Sequence, residues 1–268
     1  RNQWETEELF EKSSCVIVHD KDELKHLTEG EVKIAFPIIN TDWVGDGVSH
    51  LLCQLMGGQV DIDTFDSCRL RHIEFPEAVK KYFLGPAHGI TGMRNYTKQS
   101  NKPFSGAIVK PKTGMPASTL LDMVKELVDG GCDFIKEDEI MSNPSFCPIE
   151  ERVPLISEWL HKQSKKVVYA VCINGDHDHI LKRAQKVKDM GGNAIHINHW
   201  AGLGVYNAVR KMNTGLFIHF QKSGDKVYTD KRHNFGIDWW ALGILIYEMR
   251  IGVTPFFNKN KNLQPKQW

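Results

Sequence analysis

Between residues 107 and 220 the chain alternates short apolar runs with amphipathic stretches of helical period. Ala107-Ile108-Val109 is followed by a polar turn and then by Leu120, Val124, Leu127 and Val128, an i, i+4, i+7, i+8 stripe that predicts a helix closed by Gly130-Gly131. Phe134-Ile135 opens a second strand, and Val153, Ile156, Trp159 and Leu160 line one face of the next helix. Val167 to Ile173 reads as a third strand, with Ile180, Ala184 and Val187 on the helix behind it and Gly191-Gly192 as its stop. Ala194 to Ile197, a helix over Val205 to Met212 and a strand over Leu216 to Phe220 continue the alternation. Strands each followed by a helix imply parallel pairing with right-handed crossovers. The period alone leaves both a (β/α) barrel and an open doubly wound sheet. Upstream the pattern is less regular: Val16-Ile17-Val18 and Val32 to Phe36 read as short strands, and Ser49 to Met56 as a short helix ending at Gly57-Gly58.

Composition narrows the classes. The 268 residues include 34 basic and 33 acidic side chains, giving a formal net charge of +1, and 41% are hydrophobic. Such a chain can bury a core, and it has no overall field for nucleic acid or an anionic membrane surface. An anionic ligand therefore needs a few placed cations. The six cysteines form no CxxC pair, which predicts free thiols in a reducing compartment, cytoplasmic or plastid stroma. No apolar run approaches the roughly 20 residues of a membrane span, and no leader is recognised at the start. The first residue is Arg1, so a fragment or processed product is expected.

Polar clusters follow the predicted strands, where a barrel carries its chemistry. Lys110-Pro111-Lys112-Thr113-Gly114 offers two cations for a phosphate or a carbonyl; alone, it reads more plainly as a solvated basic turn. Lys136-Glu137-Asp138-Glu139 places carboxylates where a hard cation such as Mg²⁺ could be held, although a charged tetrapeptide is ordinarily a solvated turn. In Asn174-Gly175-Asp176-His177-Asp178-His179, Asp178 is expected as a helix N-cap rather than a ligand. His196 and Asn198 share one side of a strand; His196 and His219, each taken alone, read as structural histidines.

Taken in order, these segments resemble the ribulose bisphosphate carboxylase/oxygenase (RuBisCO) superfamily. Gly85-Pro86-Ala87-His88-Gly89-Ile90 with Arg94 is similar to the segment joining that family's two domains, and Lys110 to Gly114 to its first barrel strand end. Gly130-Gly131-Cys132-Asp133-Phe134-Ile135-Lys136-Glu137-Asp138-Glu139 is similar to its metal motif, and Arg69-Leu70 with Phe75-Pro76 matches the N-terminal pattern. The resemblance covers about residues 32–236. It implies an α/β fold: an α+β N-terminal domain over 1–84, then an incomplete (β/α) TIM-type barrel over 85–236. It implies Mg²⁺ held by Asp138, Glu139 and a CO₂-derived carbamate on Lys136. Lys110 would assist proton transfer, His219 would match a fifth-strand catalytic histidine, and Lys112 and Lys222 would contact substrate. The implied partners are a phosphorylated sugar and a second copy of the chain in a homodimer.

Departures accompany the resemblance. Gln221 and Lys222 stand where carboxylases have a second histidine and an arginine, and lysine does not replace a bidentate anion fork. Gly58 stands where an asparagine is usual. These changes point towards RuBisCO-like proteins, which run enolase or isomerase chemistry; retention of Lys110 and Lys112 points back. After Gly236 the sixth to eighth barrel units are not recognised. Residues 237–263, beginning Ile237-Asp238-Trp239-Trp240-Ala241-Leu242-Gly243, resemble instead the central helix region of cAMP-dependent-type serine/threonine kinases, so 237–268 is expected as a foreign helical tail. No other kinase motif is present, and such a piece transfers no phosphate. The expected function is Mg²⁺-dependent enolisation of a phosphorylated ketose such as ribulose 1,5-bisphosphate. The alternatives are a non-catalytic fragment, a fusion or gene-model product, and a protein kinase fragment.

Overall fold

The computed structural model describes residues 2–18, 28–58, 68 and 70–223. The chain forms two compact units, one of residues 1–68 and 76–82, the other of residues 69–75 and 83–268. In the first, α1 (Glu7–Ser13) starts where the Thr6 hydroxyl accepts from the Leu9 N–H at 3.3 Å. Strands β1 (Val16–Ile17) and β2 (Ile34–Ala35) pair antiparallel, shorter than the apolar runs that predicted them. Helix α2 (Gly47–Met56) begins two residues before the expected start, at a glycine with φ of 53°, and α3 (Glu77–Lys80) is a single turn.

The second unit carries the alternating repeat. Its elements are α4 (Gly89–Thr97), β3 (Gly106–Ile108), α5 (Ala117–Asp129), β4 (Phe134–Lys136), α6 (Ile149–Lys162), β5 (Val168–Cys172), α7 (His177–Asp189), β6 (Ala194–Asn198), α8 (Leu203–Lys211) and β7 (Phe217–Gln221). The five strands β3 to β7 lie in sequence order, and every adjoining pair is parallel. The helices α5 and α7 stop at Gly130-Gly131 and before Gly191, where φ values of 95° for Gly131 and 83° for Gly191 need a residue without Cβ.

One contact decides between barrel and open sheet. Phe134 on β4 stacks on His219 of β7 with ring centroids 5.1 Å apart, although β5 and β6 stand between them. Only a sheet curled into a half-barrel brings those rings together across its concave face. The convex face carries the main core: Ile135, Val171, Ile173, Ile195 and Ile197 pack with Leu120, Val124, Ile156, Ile180 and Val205 of the helices. Full burial of each large aliphatic side chain contributes about 1.5–3 kcal/mol. The concave face holds a smaller cluster of Val168, Ala170 and Ala194, against which Phe134, Phe217, Met93 and Tyr96 pack. Met93 and Tyr96 come from α4, and Asn193 donates to the Tyr96 hydroxyl at 2.7 Å, so α4 closes the amino-terminal end.

One local expectation is corrected. The N-cap of α7 is Asp176, with extended backbone, and Asp178 lies inside the first turn. There its carboxylate pairs with Lys182 at 3.1 Å, one turn on, a position favoured by the helix dipole. Residues 237–268, expected as a foreign helix, lie outside the described residues, as does Arg69. Among the described residues no helix is long and apolar enough to cross a membrane.

Candidate active site

Parallel strands deliver their carboxyl ends to one rim, and alternation decides which side chains face inward. On β4, Phe134 and Lys136 face the concave side, Ile135 the helices; Asp138 continues the inward series and Glu137 the outward one. The Glu137 carboxylate is accordingly buried against α6. Arg152 donates to it at 2.8 and 2.9 Å, the Tyr169 hydroxyl at 2.7 Å and the Cys172 N–H at 2.7 Å. Arg152 also donates to the Cys147 and Ser142 carbonyls at 2.7 and 2.6 Å. Burial works against the Arg152 charge, but Glu137 outweighs it and raises the guanidinium above its ordinary value. Burial, then Glu137, raises the Tyr169 phenol. Glu137 is thus a fixed anchor between β4 and α6, separate from its charged neighbours.

The inward residues converge at the rim. Lys136 is buried at 4% exposure and its Nζ makes no hydrogen bond; it stands 3.6 Å from Glu139 Oε2. Lys110 Nζ hydrogen-bonds the buried Asp138 carboxylate. Burial pushes the Asp138 carboxyl up, but the Lys110 bond and the Ile140 N–H outweigh it and hold the group below the ordinary range. Glu139 is likewise raised by burial and lowered more by its own backbone N–H and the Ser223 hydroxyl. Both carboxylates are therefore ionised at neutral pH. The Lys110 ammonium is raised by the same Asp138 bond. Lys112 is exposed and adds positive potential at Asp138. Lys222 follows the end of β7 and is half-buried.

His196 and His219 are register partners on β6 and β7, with ring centroids 5.3 Å apart. Burial first, then the Lys136 charge, pushes His196 down to about 3 and His219 to about 4, so both are neutral. Three residues absent from the sequence-based site join the rim. Asn174 donates to the Glu139 carbonyl at 2.6 Å and accepts from the Asn198 N–H at 2.7 Å. Asn198 in turn donates to Ser223 Oγ at 2.9 Å, and Ser223 hydrogen-bonds the Glu139 carboxylate. The ends of β4, β5, β6 and β7 are thereby tied together around Glu139. The two-residue spacing of His196 and Asn198 on one strand is the signal that could have placed both at the rim; Ser223 carried none. Among the described residues no three His, Cys, Asp or Glu side chains converge as a metal cluster.

A parallel (β/α) half-barrel with lysines and carboxylates gathered at the carboxyl ends of its strands defines the class of protein. Residues 89–246 match the family of the ribulose bisphosphate carboxylase large chain, catalytic domain, and the chain belongs to that family. The match overlaps the first part of the kinase-like segment. The chain is 33% identical over 209 residues to 3-oxo-isoapionate-4-phosphate decarboxylase of Rhizobium rhizogenes, covering 76% of this chain and 49% of that protein. It is 30% identical over 192 residues to 2,3-diketo-5-methylthiopentyl-1-phosphate enolase of Geobacillus kaustophilus, covering 70% and 45%. It thus spans about half the length of the curated relatives it matches. The fold is similar to a rubisco-like protein from Burkholderia fungorum, with a TM-score of 0.70 at 24% identity over 84% of this chain and 60% of the other. It is also similar to the octameric ribulose-1,5-bisphosphate carboxylase/oxygenase of Pyrococcus horikoshii, with a TM-score of 0.75 at 23% identity over 87% and 55%.

Proposed function

We propose that this chain carries the Mg²⁺-dependent enolisation chemistry of its family, acting on a phosphorylated ketose in the manner of a RuBisCO-like protein. The observation that carries the reading is Lys136: a buried amine without a hydrogen-bond partner, 3.6 Å from the ionised Glu139 and on the same inward series as Asp138. Two carboxylates alone are a sparse site for a hard cation, and a carbamate formed from Lys136 and CO₂ converts the amine into a third anionic oxygen ligand. Lys136, Asp138 and Glu139 would hold the ion, which when bound polarises the substrate carbonyl.

The remaining roles belong to the side chains. Lys110, kept protonated by Asp138, would supply a proton to the carbonyl oxygen while a base in exchange with solvent takes the proton from the adjacent carbon. His219 stays neutral and presents an imidazole nitrogen to the sugar chain. Lys112 and Lys222 attract phosphate as point charges. Gln221 and Lys222 favour the RuBisCO-like over the carboxylase reading, because neither supplies an arginine fork. The names of both relatives above describe phosphorylated compounds, which agrees with the substrate class. Solved neighbours are described as octameric and dimeric, and the proposal extends to a homodimer, to be read by sedimentation.

The test is solvent exchange. In D₂O with Mg²⁺ and bicarbonate, ribulose 1,5-bisphosphate or a methylthio-ketose phosphate should take up deuterium beside its carbonyl, and Lys136→Ala should abolish the uptake. A folded chain that exchanges neither substrate supports the non-catalytic reading instead.

A further inference from the structure

Beyond the lysine–carboxylate group, the inner face holds a second histidine, His196, to which the roles above give no part. His196 is fully buried, at 0% exposure. Its Nδ1 lies 3.1 Å from the Glu137 carbonyl, which can only accept, so Nδ1 carries the proton. Full burial favours the neutral ring, and with the proton on Nδ1 the Nε2 atom is left as a bare lone-pair acceptor. That atom has no hydrogen-bond partner, and neither has Nδ1 of His219 on the neighbouring strand. A buried polar atom without a partner costs about 1–3 kcal/mol, and two such atoms on neighbouring strands, with the unpartnered Lys136 Nζ, concentrate that cost at one place.

A purely structural histidine would need only its Nδ1–H bond to Glu137. The second nitrogen, in a wall that also carries Val168, Ala170 and Ala194, calls for a donor that none of the described residues provides. We propose that His196 Nε2 and His219 Nδ1 form a hydroxyl-binding subsite, in which one hydroxyl of a polyol phosphate donates to His196 and accepts from His219. A hydroxyl suits this pair because it donates once and accepts twice. A phosphate or carboxylate suits it less, because its negative charge would have to be desolvated in this buried, mostly apolar wall. The subsite therefore reads the sugar chain rather than its phosphate. This rests on the enolisation reading for its ligand class, but its own prediction is a binding preference rather than turnover.

The test compares ribulose 5-phosphate with inorganic phosphate by calorimetry on the wild type, His196→Asn and His196→Gln. Asparagine keeps a donor for the Glu137 carbonyl and removes the group at Nε2; glutamine restores an oxygen near that position. We expect His196→Asn to weaken ribulose 5-phosphate about tenfold or more, which is about 1.4 kcal/mol, with inorganic phosphate unchanged and part of the loss recovered in His196→Gln. On ¹⁵N-histidine-labelled wild type, the His196 Nε2 resonance should shift with ribulose 5-phosphate and stay in place with inorganic phosphate; this readout stands even where a variant fails to fold. Equal affinity of wild type and a folded His196→Asn variant, a wild type that binds sugar phosphate no better than phosphate, or an unmoved Nε2 resonance would overturn the subsite. Carbamate formation at Lys136, followed in the same samples by ¹³C NMR, reports separately on the enolisation reading.

Discussion

Replacing Arg152 with methionine should be among the most destabilising single changes in the barrel unit. The guanidinium and the Glu137 carboxylate are both fully buried, at 0% side-chain exposure each, and joined by two hydrogen bonds of 2.8 and 2.9 Å. Methionine keeps most of the volume but leaves the Glu137 charge with only the Tyr169 hydroxyl and the Cys172 N–H, and it frees the Cys147 and Ser142 carbonyls. Removing one partner of a buried pair costs about 3–5 kcal/mol, against a typical domain margin of about 5–15 kcal/mol. Urea titration followed by circular dichroism measures the loss. A cycle with Glu137→Leu extends the test: with the charge gone as well, Arg152→Met should cost clearly less, a coupling of a kind that reaches about 0.5–3 kcal/mol between contacting residues. A loss under about 1 kcal/mol for Arg152→Met alone, or strict additivity in the cycle, would refute the claim that Glu137 is an anchor held by α6.

Tyr169→Phe removes one neutral donor from the same carboxylate and should cost about 1.5–3 kcal/mol by the same titration. Ser223→Ala should leave stability nearly unchanged but weaken Mg²⁺ binding about 10–100-fold in calorimetry, because it releases the Glu139 carboxylate from its hydroxyl support. Acid should destabilise the unit before the carboxylates titrate. Both buried histidines have folded values, about 3 and about 4, below their ordinary 6.5, so the unfolded chain binds more protons in that window and stability falls as pH drops below about 6.5. In His196→Asn the slope of stability against pH between about 6.5 and 5 should flatten, and an unchanged slope would contradict burial as its source. Lys110→Met should lower solvent exchange about 10²–10⁴-fold while the fold, read by near-ultraviolet dichroism, persists.

The strands were legible because a sheet covered on both faces writes itself as continuous apolar runs: Val168–Cys172 and Ala194–Asn198 are buried throughout. Their curl was not legible, since curled and flat parallel sheets share one period, and the deciding contact joins Phe134 to His219 across two intervening strands. Lys136, Asp138 and Glu139 stood out in a charged run, and the buried partners of Glu137 on α6 and β5 show why that residue stands apart from them. Arg152 could have been noticed as a charge on the apolar stripe of Ile149, Val153 and Ile156. Asp176 and Asp178 are both good capping residues, and only the backbone conformation separates them. Ser223 gave no signal because its role depends on the curl that brings the end of β7 towards Glu139.

The central claim is that the buried amine of Lys136 is a CO₂ acceptor at the head of a cation site. With ¹³C-bicarbonate and Mg²⁺, the wild-type chain should show a carbamate resonance that is absent in Lys136→Ala. It should weaken when Mg²⁺ is chelated, and Mg²⁺ affinity should fall in parallel when CO₂ is stripped from the buffer. Equal Mg²⁺ affinity with and without CO₂, or a carbamate signal that survives loss of Lys136, would contradict the account.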